Sequence, residues 1–147
     1  MRQLHLLETD NAVLAQVAGL TALVRAAMNR AADASPWSRQ QIVDRMNALA
    51  KQADLRLTQG NAKAVSLDTL EKWLNPRAGF VPSLLAVEVF MRACGNTKPL
   101  EAWMDLHGMQ AMSAEDAIYR DLGKAARERK KNAKREKALE AQLEELQ

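Results

Sequence analysis

VSLDTLEKWLNP, Val65 to Pro76, is the stretch whose reading decides this chain. Ser66 has a side chain that can accept from the exposed N–H groups of a helix start, and Asp68 suits the positive end of the helix dipole. Leu67, Leu70 and Leu74 recur at helical spacing, with Trp73 beside them. Asn75-Pro76 closes the helix, because the residue before proline is pushed out of the α region. The spacing predicts a short amphipathic helix. Ser66, Thr69 and Lys72 lie off its apolar face, where they are free to meet a partner.

Outward from this helix the chain keeps a helical rhythm. Upstream, Ser38-Arg39-Gln40-Gln41 is a capping box, Ser with Gln three residues on. Ile42, Met46 and Leu49 form the buried stripe of the helix that follows, 38–51, and Arg39, Gln40, Asp44, Arg45 and Lys51 lie largely elsewhere on it. Residues 54–64, DLRLTQGNAKA, read as a connection with room for a short extended excursion. Downstream, Pro82 or Ser83 starts a helix that is apolar nearly all round (Leu84, Leu85, Val87, Val89, Phe90, Met91) and stops at Gly95-Asn96. It is the expected central buried helix. A short helix, Pro99 to His107, follows, with Leu100, Trp103 and Met104 expected to face inward and Gly108 ending it.

Both ends of the chain also read as helix. Thr9 or Asp10 can cap a first helix carrying Val13, Leu14, Val17, Leu20, Val24, Ala27 and Met28 on one stripe. Arg25, Asn29 and Arg30 are expected on its other side, and it fades near Asp33. Ser113 with Asp116 marks a last cap, and from there to Gln147 the run is proline-free and rich in Ala, Lys, Arg and Glu. A long exposed helix is expected. Leu139, Leu143 and Leu146 make two turns of a coiled-coil seam. Extended backward, that register meets Glu136, Asn132 and Arg129, so a long coiled coil is not supported.

The 147 residues suffice for about one domain, and nearly half are apolar. Ala and Leu dominate and β-branched runs are missing, so the fold class is all-α. The formal net charge of +3 hides an asymmetry. Residues 1–119 hold 12 basic and 12 acidic side chains, 120–137 hold 9 and 3, and 138–147 hold none and 3. The whole positive excess sits in one segment, which suggests a polyanionic partner. The one cysteine, Cys94, lies in an apolar run and fits a reduced setting. No window reads as the long uncharged run of a membrane span, and the apolar start before Glu8 is too short for a signal peptide, so a soluble, cytoplasmic protein is expected.

Order now adds to composition. A capped helix, a connection, a short helix of the form Ser66-x-x-Thr69-Leu70-x-x-Trp73, a loop, a proline-started apolar helix and a short closing helix together resemble the lambda-repressor/Cro-like helix-turn-helix family. SRQQIVDRMNAL with LDTLEKWLNP looks more narrowly like small regulators of phages and Mu-like prophages. The resemblance covers residues 36–107. It departs from the family in the length of the 54–64 connection and in two acidic residues, Asp68 and Glu71, on the presumed recognition helix. It implies three parts: an N-terminal packing or dimerisation helix (1–34), a helix-turn-helix domain (35–112) and a basic C-terminal helix (113–147). It also implies a sequence-specific DNA-binding transcriptional regulator acting on double-stranded DNA. Ser66, Asp68, Thr69 and Lys72 would then meet bases or phosphate, with Asp68 able to accept from cytosine N4. Arg39, Gln40 and Arg77 would hold the backbone.

In Lys124–Lys137, the residues Lys124, Arg127, Lys130, Lys131, Lys134 and Arg135 lie all round the helix with no aromatic to stack a base, as in a phosphate-binding arm. The alternative is an adaptor on a helix-turn-helix-like scaffold that binds a host or replication protein. An enzyme is not expected. His5 and His107 are isolated, Glu101 and Asp105 are an ordinary helical pair, and no phosphate loop, metal spacing or nucleophile elbow occurs. No metal, cofactor, small-molecule substrate or membrane is expected as a partner. A homodimer is expected, with the 13–28 stripe contributing more than the Leu139/Leu143/Leu146 seam.

Overall fold

The computed structural model describes residues 2–146, with side chains from Asn11 onward. The side chains of His5, Thr9 and Asp10, named above, lie outside the described residues. Among the described residues there are six α-helices and no strand: α1 (Arg2–Ala34), α2 (Arg39–Gln52), α3 (Leu67–Leu74), α4 (Leu84–Cys94), α5 (Lys98–Leu106) and α6 (Ala114–Glu145). The chain is all-α. It forms two compact units, one ending at Gln110 and one beginning at Ala111.

The helix starts follow from local chemistry. Ser38 Oγ accepts from the Gln41 N–H at 3.2 Å while Gln41 Oε1 accepts from the Ser38 N–H at 2.8 Å, a complete capping box. Ser66, Ser83 and Ser113 each accept from the N–H three residues on. α4 ends where Gly95 takes a left-handed φ of 65°, which lets the Asn96 N–H reach back to Met91 O at 3.1 Å. Two expectations need correction here. α1 is already helical from Arg2, so neither Thr9 nor Asp10 starts it. Residues 53–66 hold no extended pairing, and the α2–α3 connection is irregular throughout.

In the first unit α1 packs on α5, α4 and α3, and α2 packs on α4 and α3. The core they enclose includes Met28, Ala31, Ile42, Val43, Met46, Leu70, Trp73, Leu74, Val89 and Phe90. Trp73 is thus a core residue, while Leu67, expected on the buried face of α3, is exposed. The reason is position: Leu67 opens the helix, so only the later turn reaches the core. Ala86, Val89, Phe90, Ala93 and Cys94 make α4 the central helix, but its first residue, Leu84, stands out of the core.

The largest departure concerns Arg25. It was expected on the polar side of α1, yet it is buried, at 3% exposure. Its Nε donates to Trp73 O at 2.9 Å, Nη2 to Lys72 O at 2.6 Å and Nη1 to Ala78 O at 2.8 Å. Those carbonyls belong to the last turn of α3 and the loop beyond it, where the helix dipole gathers negative charge. Burial lowers the Arg25 pKa from its ordinary value, and the guanidinium still stays charged at neutral pH. A second arginine does the same for α4. Arg45 Nε donates to Ala93 O at 2.9 Å, and its guanidinium lies 4.5 Å from the Trp37 ring centroid. Asn47 clamps the end of the irregular connection: its Nδ2 donates to Val65 O at 2.9 Å and its Oδ1 accepts from the Val65 N–H at 2.8 Å. Among the described residues no buried side-chain polar atom is left without a partner.

α1 also corrects the reading of membrane character. Asn11–Ala34 is long and apolar enough, by length and composition, to cross a membrane. Only 17% of its most apolar window is buried, and the buried part is C-terminal: Ala27, Met28, Ala31 and Ala32 belong to the core of this unit. The expected 13–28 stripe therefore splits in two. Its C-terminal part is interior, and Val13, Leu14 and Val17 are exposed.

Arg25→Leu removes the donor to three carbonyls at once, and hydrogen bonds from charged donors each contribute about 1.5–3 kcal/mol. The expected loss of unfolding free energy is at least about 3 kcal/mol, because the carbonyls are left dry. Arg25→Lys is expected to recover less than half of it, since one ammonium cannot fan out as a guanidinium does. Urea unfolding followed by circular dichroism measures both.

Candidate nucleic-acid interface

α3 exposes Asp68, Glu71 and, in part, Lys72. Ser66 Oγ accepts from the Thr69 N–H at 3.1 Å and shares a further hydrogen bond with Thr69 Oγ1 at 2.9 Å. Lys72 Nζ sits 2.6 Å from Asp68 Oδ2 and 5.0 Å from the Phe80 ring centroid. Arg39 reaches across from α2. Its Nη1 is 2.5 Å from Glu71 Oε2, and its Nη2 is 3.0 Å from both Asp33 Oδ1 and Asn29 Oδ1. The hydrogen bond that Arg39 donates to Asp33, with the charge of Glu71, raises the Arg39 pKa above its usual value. Gln40 Nε2 donates to Asp44 Oδ1 at 3.0 Å, turned along its own helix. Arg77 is exposed beyond the helix end.

The structure thus gathers Arg39, Ser66, Asp68, Thr69 and Lys72 around one helix, and spends their polar groups on one another. These are surface contacts. Exposed pairs of this kind contribute about 0.2–1 kcal/mol each, so a phosphate or a charged protein group can compete with them. α2 and α3 are not joined by a tight turn; 14 residues, 53–66, separate them.

α6 is chemically different. It runs for 32 residues, about 48 Å at 1.5 Å per residue. It buries none of them. Lys124–Lys137 holds eight basic side chains against Glu128 and Glu136. Among the described residues none of the eight is in an ion pair; the pair on α6 is Arg120 with Asp121. Lys124, Arg127, Lys130, Lys131, Lys134 and Arg135 are all exposed, and so are Arg129 and Lys137, which the sequence reading had not placed in the site. The signal for those two was the same run of cations. Four turns of helix spread the charge around the axis. The segment spans about 21 Å, a length over which double-stranded DNA carries about a dozen phosphates.

A separate apolar feature lies in the first unit. A groove of about 440 Å³ runs between α1, α4 and α5, with Leu20, Val24, Leu84, Val87, Leu100 and Trp103 among its walls. Leu100 and Trp103, expected to face inward, line this open groove instead. α5 is short and ends at Leu106, so its apolar side reaches α1 without being covered.

His107 is exposed at the end of α5. Among the described residues no cluster of three His, Cys, Asp or Glu is placed to hold a metal ion. Cys94 is buried, and burial pushes its thiol up to about 11, with Arg45 opposing weakly. Comparison with protein-family models, with curated proteins and with solved structures gives no match.

The Cys94 thiol is expected to resist a disulfide exchange reagent in the native protein at pH 8 and to react on unfolding. Its pKa is higher folded than unfolded, so it contributes stability that is full below pH 9.0 and is lost as pH rises toward 11. Over that window Cys94→Ala should lose less stability than the parent chain, as measured by thermal unfolding at successive pH values.

Proposed function

We propose that this chain is a DNA-binding regulator of the phage type, in which α6 supplies the affinity and the α2–α3 unit supplies the specific face. One observation carries this reading: eight exposed cations on four turns of α6, without an acidic partner among the described residues. Phosphate neutralisation of this sort is sequence-independent and steeply salt-dependent. Selection of a site would fall to α3, whose Thr69 and Lys72 can turn from Ser66 and Asp68 to base edges, with Asp68 accepting from cytosine N4. Arg39 and Arg77 would then hold the backbone on either side, in the manner of a helix-turn-helix. Double-stranded DNA is the partner, and the setting is cytoplasmic.

A second reading, a protein-interaction adaptor on the same scaffold, is favoured by the carboxylates of α3. Asp68 and Glu71 project from its exposed side. They would meet a basic surface of a host or replication protein, and α6 would then serve as a general anchor.

Two experiments separate these. Truncation after Gly123 is expected to leave the far-ultraviolet spectrum of the remaining helices intact. It should weaken binding to any duplex and flatten the dependence of log affinity on log salt by about 4–7, given about 0.9 per neutralised phosphate. An unchanged salt slope, measured by fluorescence anisotropy, would remove the phosphate arm. Thr69→Ala and Lys72→Ala are expected to weaken operator binding more than binding to random duplex. Asp68→Asn releases Lys72 and removes a charge that repels phosphate, so duplex affinity should rise several-fold. If α3 meets a basic protein, the same substitution leaves duplex binding unchanged.

A further inference from the structure

From the groove and the free part of α1, we infer that this chain pairs with a second copy of itself through α1, the two α1 helices lying antiparallel about an axis near Ala18 and Gly19. The pairing stands apart from the nucleic-acid reading. It uses the N-terminal part of the 13–28 stripe that the spacing suggested, because Ala27 and Met28 belong to the core.

Three observations point to a second copy. First, projecting and recessed surface occur side by side on one helix. Val13 and Val17 are 51% and 66% exposed, and on the same face, one turn further on, Leu20 and Val24 form a wall of the groove. An antiparallel two-fold puts each copy's projecting valines on the other's groove and satisfies both with one operation. Second, the face is matched to itself. Val13, Val17, Leu20 and Val24 are spaced 4-3-4, so the reversed helix sets Val13 against Val24 and Val17 against Leu20 of the partner. Third, Asn11 to Val24 carries no charge, so reversal brings no like charges together. The absence of cations equally argues against an anionic lipid surface as the occupant.

Leu84 at 70%, Val81 at 56% and Trp103 at 37% exposure continue the apolar strip on the far side of the groove.

The test is sedimentation velocity on the full chain at low micromolar concentration, with three variants. The expected result is a dimer for the parent chain. Val17→Glu and Leu84→Glu should each raise the dissociation constant on the order of tenfold or more while the helical spectrum is kept. Leu84 is exposed and the core does not need it, so it decides the matter if Val17→Glu does not fold. Val17→Cys in a Cys94→Ser background should form a disulfide between copies on mild oxidation, because Val17 lies on the seam within one turn of the axis. A parent chain that sediments as a monomer overturns the inference. So does a dimer that survives both glutamates, or one lost only on truncation after Gly123. Monomeric parent chain that floats with phosphatidylcholine vesicles would assign the face to lipid and overturn it as well.

Discussion

Arg25 is the point on which the first unit depends. It leaves α1, enters the interior and closes the exposed carbonyl end of α3 together with the loop that leads to α4. A buried guanidinium without a carboxylate is costly to desolvate. Three carbonyls carrying the negative end of a helix offset that cost, and they fix direction as well as distance. One side chain therefore sets where α3 ends, how the 75–83 loop departs and how α1 is rotated about its own axis. That rotation decides which residues of α1 are interior and which are left at the surface. Arg45 repeats the device on α4, so two of the three helices that pack on α2 or α1 are stopped by an arginine from another helix.

The two units divide electrostatic roles. On α3 Asp68 pairs with Lys72 and Glu71 with Arg39, which leaves the helix surface polar but nearly neutral. On α6 the eight cations of Lys124–Lys137 are in no ion pair among the described residues. A neutral patch discriminates by shape and hydrogen-bond pattern, because no long-range field dominates it. A cationic helix attracts polyanions from a Debye length away, with little discrimination. In the proposed reading, affinity and selectivity fall to different segments of sequence, and each can change without cost to the other.

How much of this was legible depends on range. Each serine cap acts over three residues, and Ser38, Ser66, Ser83 and Ser113 could be read directly from the sequence. The all-α class followed from composition and spacing. Contacts between distant residues could not be read. Periodicity places Arg25 opposite the valine stripe, but it says nothing of a carbonyl triad 47 to 53 residues away that can receive it. Leu67 was expected on the buried face with Leu70 and Leu74, but the core meets Leu70, Trp73 and Leu74, a matter of how the helices cross. The run of cations on α6 was visible, yet its lack of partners is a three-dimensional fact. For the candidate site, residues around α3 could be named from the sequence, while their internal pairing could not, since Arg39 meets Asp33 and Glu71 only after α1, α2 and α3 have packed. The groove was missed: Phe80-Val81-Pro82 and Leu84-Leu85 form an apolar run too long for one buried face, which was the available signal.

The clamp made by Asn47 has a consequence for how this chain can vary. Val65, the residue before the α3 cap, is held to α2 by two hydrogen bonds, so the start of α3 is positioned from α2 and not through the residues between them. The segment from Asp54 to Ala64 is relieved of any part in that alignment. Its tip, near Gly60, is free to gain or lose residues, because lengthening a loop costs only about 0.6 kcal/mol per doubling. A descendant of this chain could therefore carry an inserted peptide there, or a spectroscopic label, and keep the same helix in the same place.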